Sequence, residues 1–313
     1  MQLVADQKIE SAIADRLLLF REIGDLKRLY SFRTGADSFA TAVFRACTQS
    51  VVDGSALHSS EWVSFCTAAA RLGAITPAIL ETAGLGDDAS LAPAHRAIDC
   101  WAPLTEAQKQ HLKSRYSRGA ELFESTEEKV RPLWIQRQCE APRAGATCPG
   151  KPKIVLEPFE LHSDHCLTVA IYAYFLADLY DANPDDAWLI GLCHHFHNAY
   201  LPDSGFSGEV LLADDLDQVI TAFREKALQE VAPCFADRIR LLFAQIDTDE
   251  TSLARAFHAA DAIDRVLQMD HYARAAAFQT KDALVGHNLV HEGPVQAFQT
   301  KLLRNLGWNL GAC

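Results

Sequence analysis

An all-α protein is what this sequence predicts, on three observations. Apolar residues recur at helical spacing through nearly the whole chain. No stretch alternates convincingly as a half-buried strand would, and no unit repeats at a fixed period. At 313 residues, 49% of them apolar and 22% charged, the chain can bury a sizeable core in one or two domains.

The clearest break in the periodicity is CEAPRAGATCPGKPK, residues 139–153, where Pro, Gly and Ala accumulate without apolar spacing and predict an exposed connection. The expected organisation is therefore an N-terminal helical domain over residues 1–138, a linker over 139–153 and a second helical domain over 154–313. In the first half, residues 5–20, 38–52, 60–71, 75–83 and 105–131 read as helices. Gly84 and Gly86 stop the fourth of these, because glycine takes the left-handed C-cap conformation without a Cβ penalty. This half carries no motif that chemistry requires. EWVSFCTAAARLGAITPAIL reads as core, and His58, His95 and His111 stand alone as surface or packing residues.

The second half is sharper. In HSDHCLTVAIYAYFLADLY, His165, Val169, Tyr172, Leu176 and Leu179 share one face of an amphipathic helix, with Ser163 as the expected N-cap. The next helix has a strong start, NPDDAWLIGLCHH. Asn183 caps it, Pro184 fits its first position, and Asp185 and Asp186 complement the positive end of its dipole. Leu189, Leu192, Cys193 and Phe196 form its buried face, and His194 and His195 end it before a loop marked by Pro202 and Gly205. A later helix, TSLARAFHAADAIDRVLQMDHYARA, is capped by Thr251 or Ser252. Leu253, Phe257, Ala260, Asp264 and Leu267 follow its stripe, with Asp261 at the edge. A carboxylate on an apolar face is costly unless something compensates it.

Composition excludes some classes of function. A net charge of −12 argues against a broad nucleic-acid footprint, which needs a basic face. The first twenty residues carry charges throughout and show no secretory signal, and no apolar run is long enough to span a bilayer. The nine scattered cysteines include no CxxC pair and read as reduced thiols, although Cys139 and Cys148 bracket the linker. A cytoplasmic protein acting on a small molecule, without nucleic acid or membrane partners, is the expectation; homo-oligomerisation is left open.

Three of the twelve histidines, His194, His195 and His197, fall within CHHFHNAYLPDSG. Together with His165 opening one helix and Asp261 on another, they form an order of metal-ligand types spread over three elements. This order resembles the HD-domain superfamily, an all-helical fold of metal-dependent phosphohydrolases, over roughly residues 155–280. The resemblance implies a ligand set of His165, His194, His195 and Asp261. The family's doublet is His-Asp, and here His195 replaces its carboxylate. Three imidazoles and one carboxylate suit one divalent transition-metal ion (Fe, Mn, Zn or Co), and the loss of a bridging carboxylate disfavours two-metal chemistry.

Asn198 stands where many nucleotidase-like members have an acid, so Asp203 becomes the nearest carboxylate for a base. His197 is expected as a further ligand, a supporting partner or a proton donor, with His194–His197 and His258–Asp261 as alternative pairs at helical spacing. Arg255 and Arg265, or Lys151 and Lys153, would neutralise phosphate charge. His271, His287 and His291 lie outside the pattern. The function implied is hydrolysis of a phosphate ester of a nucleotide or other small metabolite. Two alternatives are an HD-fold mixed-valence diiron oxygenase, which would need two irons and would recruit His197 and His258, and a non-catalytic sensing or interaction module with a degenerate site.

Overall fold

The computed structural model describes residues 2–31, 34–125, 132–151, 153–154, 157–275 and 300. Among them secondary structure is helical, apart from two isolated antiparallel bridges. The chain runs α1 (Gln2–Gly24), a 3-10 turn at Asp25–Arg28, α2 (Phe39–Asp53), α3 (Ser59–Leu72), α4 (Pro77–Thr82), α5 (Asp87–Asp99), α6 (Glu106–Glu124) and α7 (Leu133–Glu140). It continues with α8 (His162–Tyr180), α9 (Pro184–Cys193), a 3-10 turn at Phe196–Ala199, α10 (Gly205–Leu212), α11 (Leu216–Leu228), α12 (Pro233–Gln245) and α13 (Ser252–Ala275). No helix among the described residues is long and apolar enough to cross a membrane.

Each expected helix has a counterpart, and local signals explain most ends. The Ser38 hydroxyl accepts from the Thr41 amide at the start of α2, and the left-handed Gly54 (φ 74°) closes it. Asn183 caps α9 by accepting from the amides of Asp185 and Asp186, with Pro184 at the first position. Thr251 Oγ1 accepts from the Ala254 amide at the start of α13. Five helices escape the sequence reading, α11 and α12 among them, and the other three carry signals that point away from a helix. Helix α5 contains Pro93, which reads as a breaker; α7 directly precedes the Pro/Gly-rich break; and α10 begins at a left-handed Gly205 (φ 62°) that reads as loop. At α8 the helix starts two residues earlier than the expected Ser163 cap implies. Ser163 lies inside it, and Asp164 Oδ2 accepts from the Leu161 amide.

Helix α8 is the centre of the molecule. Its apolar residues run all round rather than along one face, so α1, α2, α7 and α9 all pack against it and fifteen of its residues are buried. This is why residues 1–138 and 154–265 are not two cores. Met1–Arg265 gather into one compact unit, and Val266–Cys313 form a second. Polar contacts add to the join: the Ser38 hydroxyl donates to Asp164, Thr41 Oγ1 donates to the same carboxylate at 2.9 Å, and Thr41 and Ser163 hydroxyls meet at 2.6 Å. The 139–153 connection is itself docked, by the bridges Pro142–Leu161 and Ala146–Ile154.

The α8–α9 pair carries most of the functional side chains, and it is close because position 191 lacks a Cβ. A methyl group there would stand 2.7 Å from the Ala170 nitrogen and against its Cα. Gly191→Ala therefore must push the two backbones apart. The expected cost is at the upper end of overpacking, about 3 kcal/mol, read in a thermal melt as a drop of roughly 6–12 °C in Tm. An unchanged Tm would show that the two helices are not held this closely.

Candidate metal centre

The first turn of α8 presents His165 at zero exposure, where an imidazole ordinarily has partners for its nitrogens. Its Nδ1 lies 2.7 Å from Asp264 Oδ2 on α13. Asp264 also holds Lys27 Nζ, which is 2.8 Å from each of its oxygens, and Lys27 in turn reaches Glu160 Oε1 at 2.5 Å. Glu160 Oε2 accepts from Arg143 Nη1 at 3.2 Å. The result is an alternating chain of buried charge, Asp264–Lys27–Glu160–Arg143, with His165 at its end. Burial alone would depress the Lys27 ammonium, but Asp264 and Glu160 outweigh it and its pKa is raised. Burial would likewise raise Asp264 and Glu160, yet Lys27 holds both below the carboxylate range, with help from His165 and Arg143 respectively.

The histidine doublet sits where α9 ends. His194 Nδ1 lies 2.7 Å from the Gly191 carbonyl, which fixes the proton on that nitrogen. His195 Nδ1 lies 2.6 Å from Asn198 Oδ1, and Asn198 is oriented by donating its own amide to the Leu201 carbonyl at 3.2 Å. From α7, Gln138 Nε2 donates to the His195 carbonyl at 2.6 Å. One nitrogen of each ring in His165, His194 and His195 is thus bound to an oxygen acceptor, and each offers its Nε2 lone pair. Ligand atoms of the three lie within 4.8 Å of one another.

That arrangement demands positive charge. His165 Nε2 is 3.2 Å from His194 Nε2 and 3.2 Å from Asp261 Oδ1, so lone pairs face lone pairs and a carboxylate. A proton on His165 would satisfy one such contact at a time, whereas a divalent cation would serve all of them. The tautomers are those that metal-bound histidines adopt, with the far nitrogen on a carboxylate, a carbonyl or an amide oxygen. Borderline-soft ions of the Fe, Mn, Zn and Co group match such a nitrogen-rich donor set. A second group, Glu160, His165 and Asp264, is also close enough for an ion, but Lys27 already occupies it.

The remaining expected residues divide. Asp261 faces His165, and its other oxygen pairs with Arg265 at 3.2 Å, so Arg265 supports Asp261 from a largely exposed position. His197 has its ring 5.6 Å from that of His195, with Nδ1 lacking a hydrogen-bond partner. Asp203 is near, but both its oxygens are taken, accepting from the amides of Ala144 at 3.0 Å and Gly205 at 2.8 Å. Burial would raise it, yet those amides, His162 and Arg143 pull it below its ordinary value, which makes it an anchor for two loops rather than a base. Arg255 lies over the Tyr180 ring, 5.3 Å from its centroid, at the far end of α8 and about 22 Å along the helix from His165. It is not part of the centre. Lys151 and Lys153 are exposed. His258 bonds the Ile246 carbonyl at 2.9 Å and joins no metal-competent group among the described residues, so neither the His258–Asp261 pair nor its recruitment for a second iron is formed. His287 and His291 lie outside the described residues.

Sequence reasoning missed Lys27, Glu160, Arg143 and His162, and it placed Asp264 on the apolar stripe without giving it a role. Asp264 carried the signal: at 1% exposure, a carboxylate on a buried stripe announces a cation or imidazole partner. Lys27 carried none, because a lysine after a helix reads as solvated. His162 is the least explained. It is fully buried, and neither ring nitrogen has a hydrogen-bond partner; the nearest carboxylate oxygen, on Asp203, is 3.8 Å away.

Two expectations follow. Lys27→Met leaves Asp264 and Glu160 buried without their shared cation and is expected to destabilise the chain by about 3–5 kcal/mol, measured by denaturant unfolding; an effect under about 1 kcal/mol would remove Lys27 from the network. The second concerns pH. Burial holds His162 down to about 3, His197 to about 4, and His194 and His195 well below 6.5. These imidazoles protonate in the unfolded chain before they do in the folded one. Their contribution is present above pH 6.5 and is lost as pH falls. Asp164, which burial raises to about 6, works in the opposite direction as a single group. The metal-free chain should lose stability steeply between pH 6.5 and 4.5, at up to about 4 kcal/mol per pH unit. A flat Tm over that window would contradict the neutral imidazole cluster.

No protein-family model matches the chain, and no curated protein or solved structure does.

Proposed function

We propose that this chain is a metal-dependent phosphohydrolase of HD-domain type, acting on a nucleotide or another small phosphorylated metabolite. One observation carries the reading: the imidazoles of His165, His194 and His195, each with its Nδ1 held by an oxygen, bring ligand atoms within 4.8 Å of one another, and His165 Nε2 also meets the Asp261 carboxylate. This is the ligand order that the sequence resemblance implies, gathered from α8, from the end of α9 and from α13.

A divalent ion held there would supply Lewis acidity toward a phosphoryl oxygen and lower the pKa of a bound water. The chain's own residues do the rest. Asp264, itself fixed by Lys27, holds the His165 ring in one orientation and one tautomer, while Asn198 and the Gly191 carbonyl do the same for His195 and His194. Arg265 keeps one oxygen of Asp261 engaged so that the other faces His165. His197, with a free Nδ1 beside His195, is placed to hydrogen-bond a group seated at the centre. The bulk of Phe196 and Phe257 around the doublet limits water on the core side, and that strengthens each electrostatic contact.

Elemental analysis of the full-length chain, purified without added metal, tests the reading together with assays on phosphomonoesters and nucleotides. His165→Ala and Asp261→Ala should each lose the metal and reduce hydrolysis by at least 100-fold, the scale of losing a ligand or its orienting partner. His195→Asp, which restores the family's doublet, should keep the metal. A chain that takes up none of Mn, Fe, Co or Zn would end the proposal. A metal-loaded chain inert toward every phosphate ester, whose melting temperature nonetheless follows metal content, would favour a sensing module instead.

A further inference from the structure

The unexplained His162 points beyond the metal ligands. A fully buried imidazole whose two nitrogens both lack partners is a cost to the fold. Such a residue persists when a partner arrives from outside the chain. Its ring centroid is 5.0 Å from that of His195, which is in turn 5.1 Å from that of His165, so His162 lies beside the candidate metal centre.

The charge around His162 identifies the kind of partner. Arg143 and His162 flank the Pro142–Leu161 bridge, and Arg143 Nε is likewise buried without a hydrogen-bond partner. Only Nη1 is committed, to Glu160. A second cation is disfavoured beside that guanidinium. The ligand set would also be too small, since His162 belongs to no metal-competent group among the described residues. An anion bearing several oxygens fits: it accepts from Arg143 Nε and from the one N–H of a neutral His162. Arg255, which the sequence nominated for this work, sits at the other end of α8.

We propose that His162 and Arg143 form an oxyanion pocket on the His195 side of the centre, which takes the phosphoryl oxygens of the substrate. The pocket rests on the phosphohydrolase reading for the identity of its anion. His162 is held in place from below by its backbone amide, which donates to the Ala141 carbonyl at 3.2 Å, and Arg143 by its amide on the Glu160 carbonyl at 2.8 Å. His162 opens α8 and Arg143 lies in the segment docked on that helix start, which makes residues 139–151 a wall of the proposed pocket rather than a spacer.

Calorimetric titration of inorganic phosphate into the full-length chain tests this, with the metal content of each sample determined in parallel. His162→Leu removes both unsatisfied nitrogens at similar volume, so it should fold and melt no lower than the wild type, retain its metal and bind phosphate at least tenfold more weakly. Arg143→Lys keeps the charge opposite Glu160 but loses Nε and the planar fork, and a similar weakening is expected. Arg255→Gln should bind phosphate as the wild type does. The pocket is refuted if His162→Leu and Arg143→Lys bind phosphate unchanged, which would mean an ordered water alone serves His162. Loss of metal together with phosphate in His162→Leu also refutes it, since His162 would then be a ligand. A metalloprotein with no response to millimolar phosphate removes the pocket and leaves the metal centre standing. A metal-free wild type whose phosphate binding still depends on His162 and Arg143 removes the centre and keeps the pocket.

Discussion

The centre depends on one buried ammonium. Lys27 lies between Asp264 and Glu160, and without it neither carboxylate could remain ionised so far from water. Asp264 is what orients His165, and Glu160 is what holds Arg143, so one lysine from the turn after α1 fixes groups on both sides of the imidazole cluster. A buried ion chain of this kind is weak evidence for stability but a good device for geometry. Each member has a single arrangement that leaves no charge unpaired.

The same logic explains why the two halves of the chain cannot be separated. Helix α8 is apolar all round, so it needs cover from α1, α2 and α7 as well as from α9. The polar joins follow the apolar ones: Ser38 and Thr41 at the start of α2 meet Asp164, and Gln138 on α7 holds the backbone of the doublet. Among the described residues the N-terminal half adds no side chain to the His165, His194 and His195 group, yet it sets where those side chains stand.

Around the cluster, polar groups are present in two conditions. His165, His194 and His195 have their Nδ1 atoms satisfied and their Nε2 atoms in conflict with one another, a conflict that a cation relieves. His162, His197 and Arg143 instead have nitrogens with no partner at all. Native interiors rarely tolerate either condition, and here both occur around one cluster.

The sequence alone determined the helical class, most helix positions and the histidine and aspartate order that α8, α9 and α13 bring together. Those are local matters: apolar spacing, a capping Asn183 and a Pro184 at the helix start are written within a few residues of where they act. Only the tertiary structure decided that α8 is enclosed on every side, that the segment around Pro142 docks at the start of α8, and that Asp203 anchors loops. It also decided that Arg143 pairs with Glu160 while Arg255 lies over Tyr180. The role of Lys27 shows the reason most plainly. It meets Glu160 and Asp264 across separations of 133 and 237 residues, and no periodicity or motif encodes a contact that exists only once three distant segments have been folded against a common core.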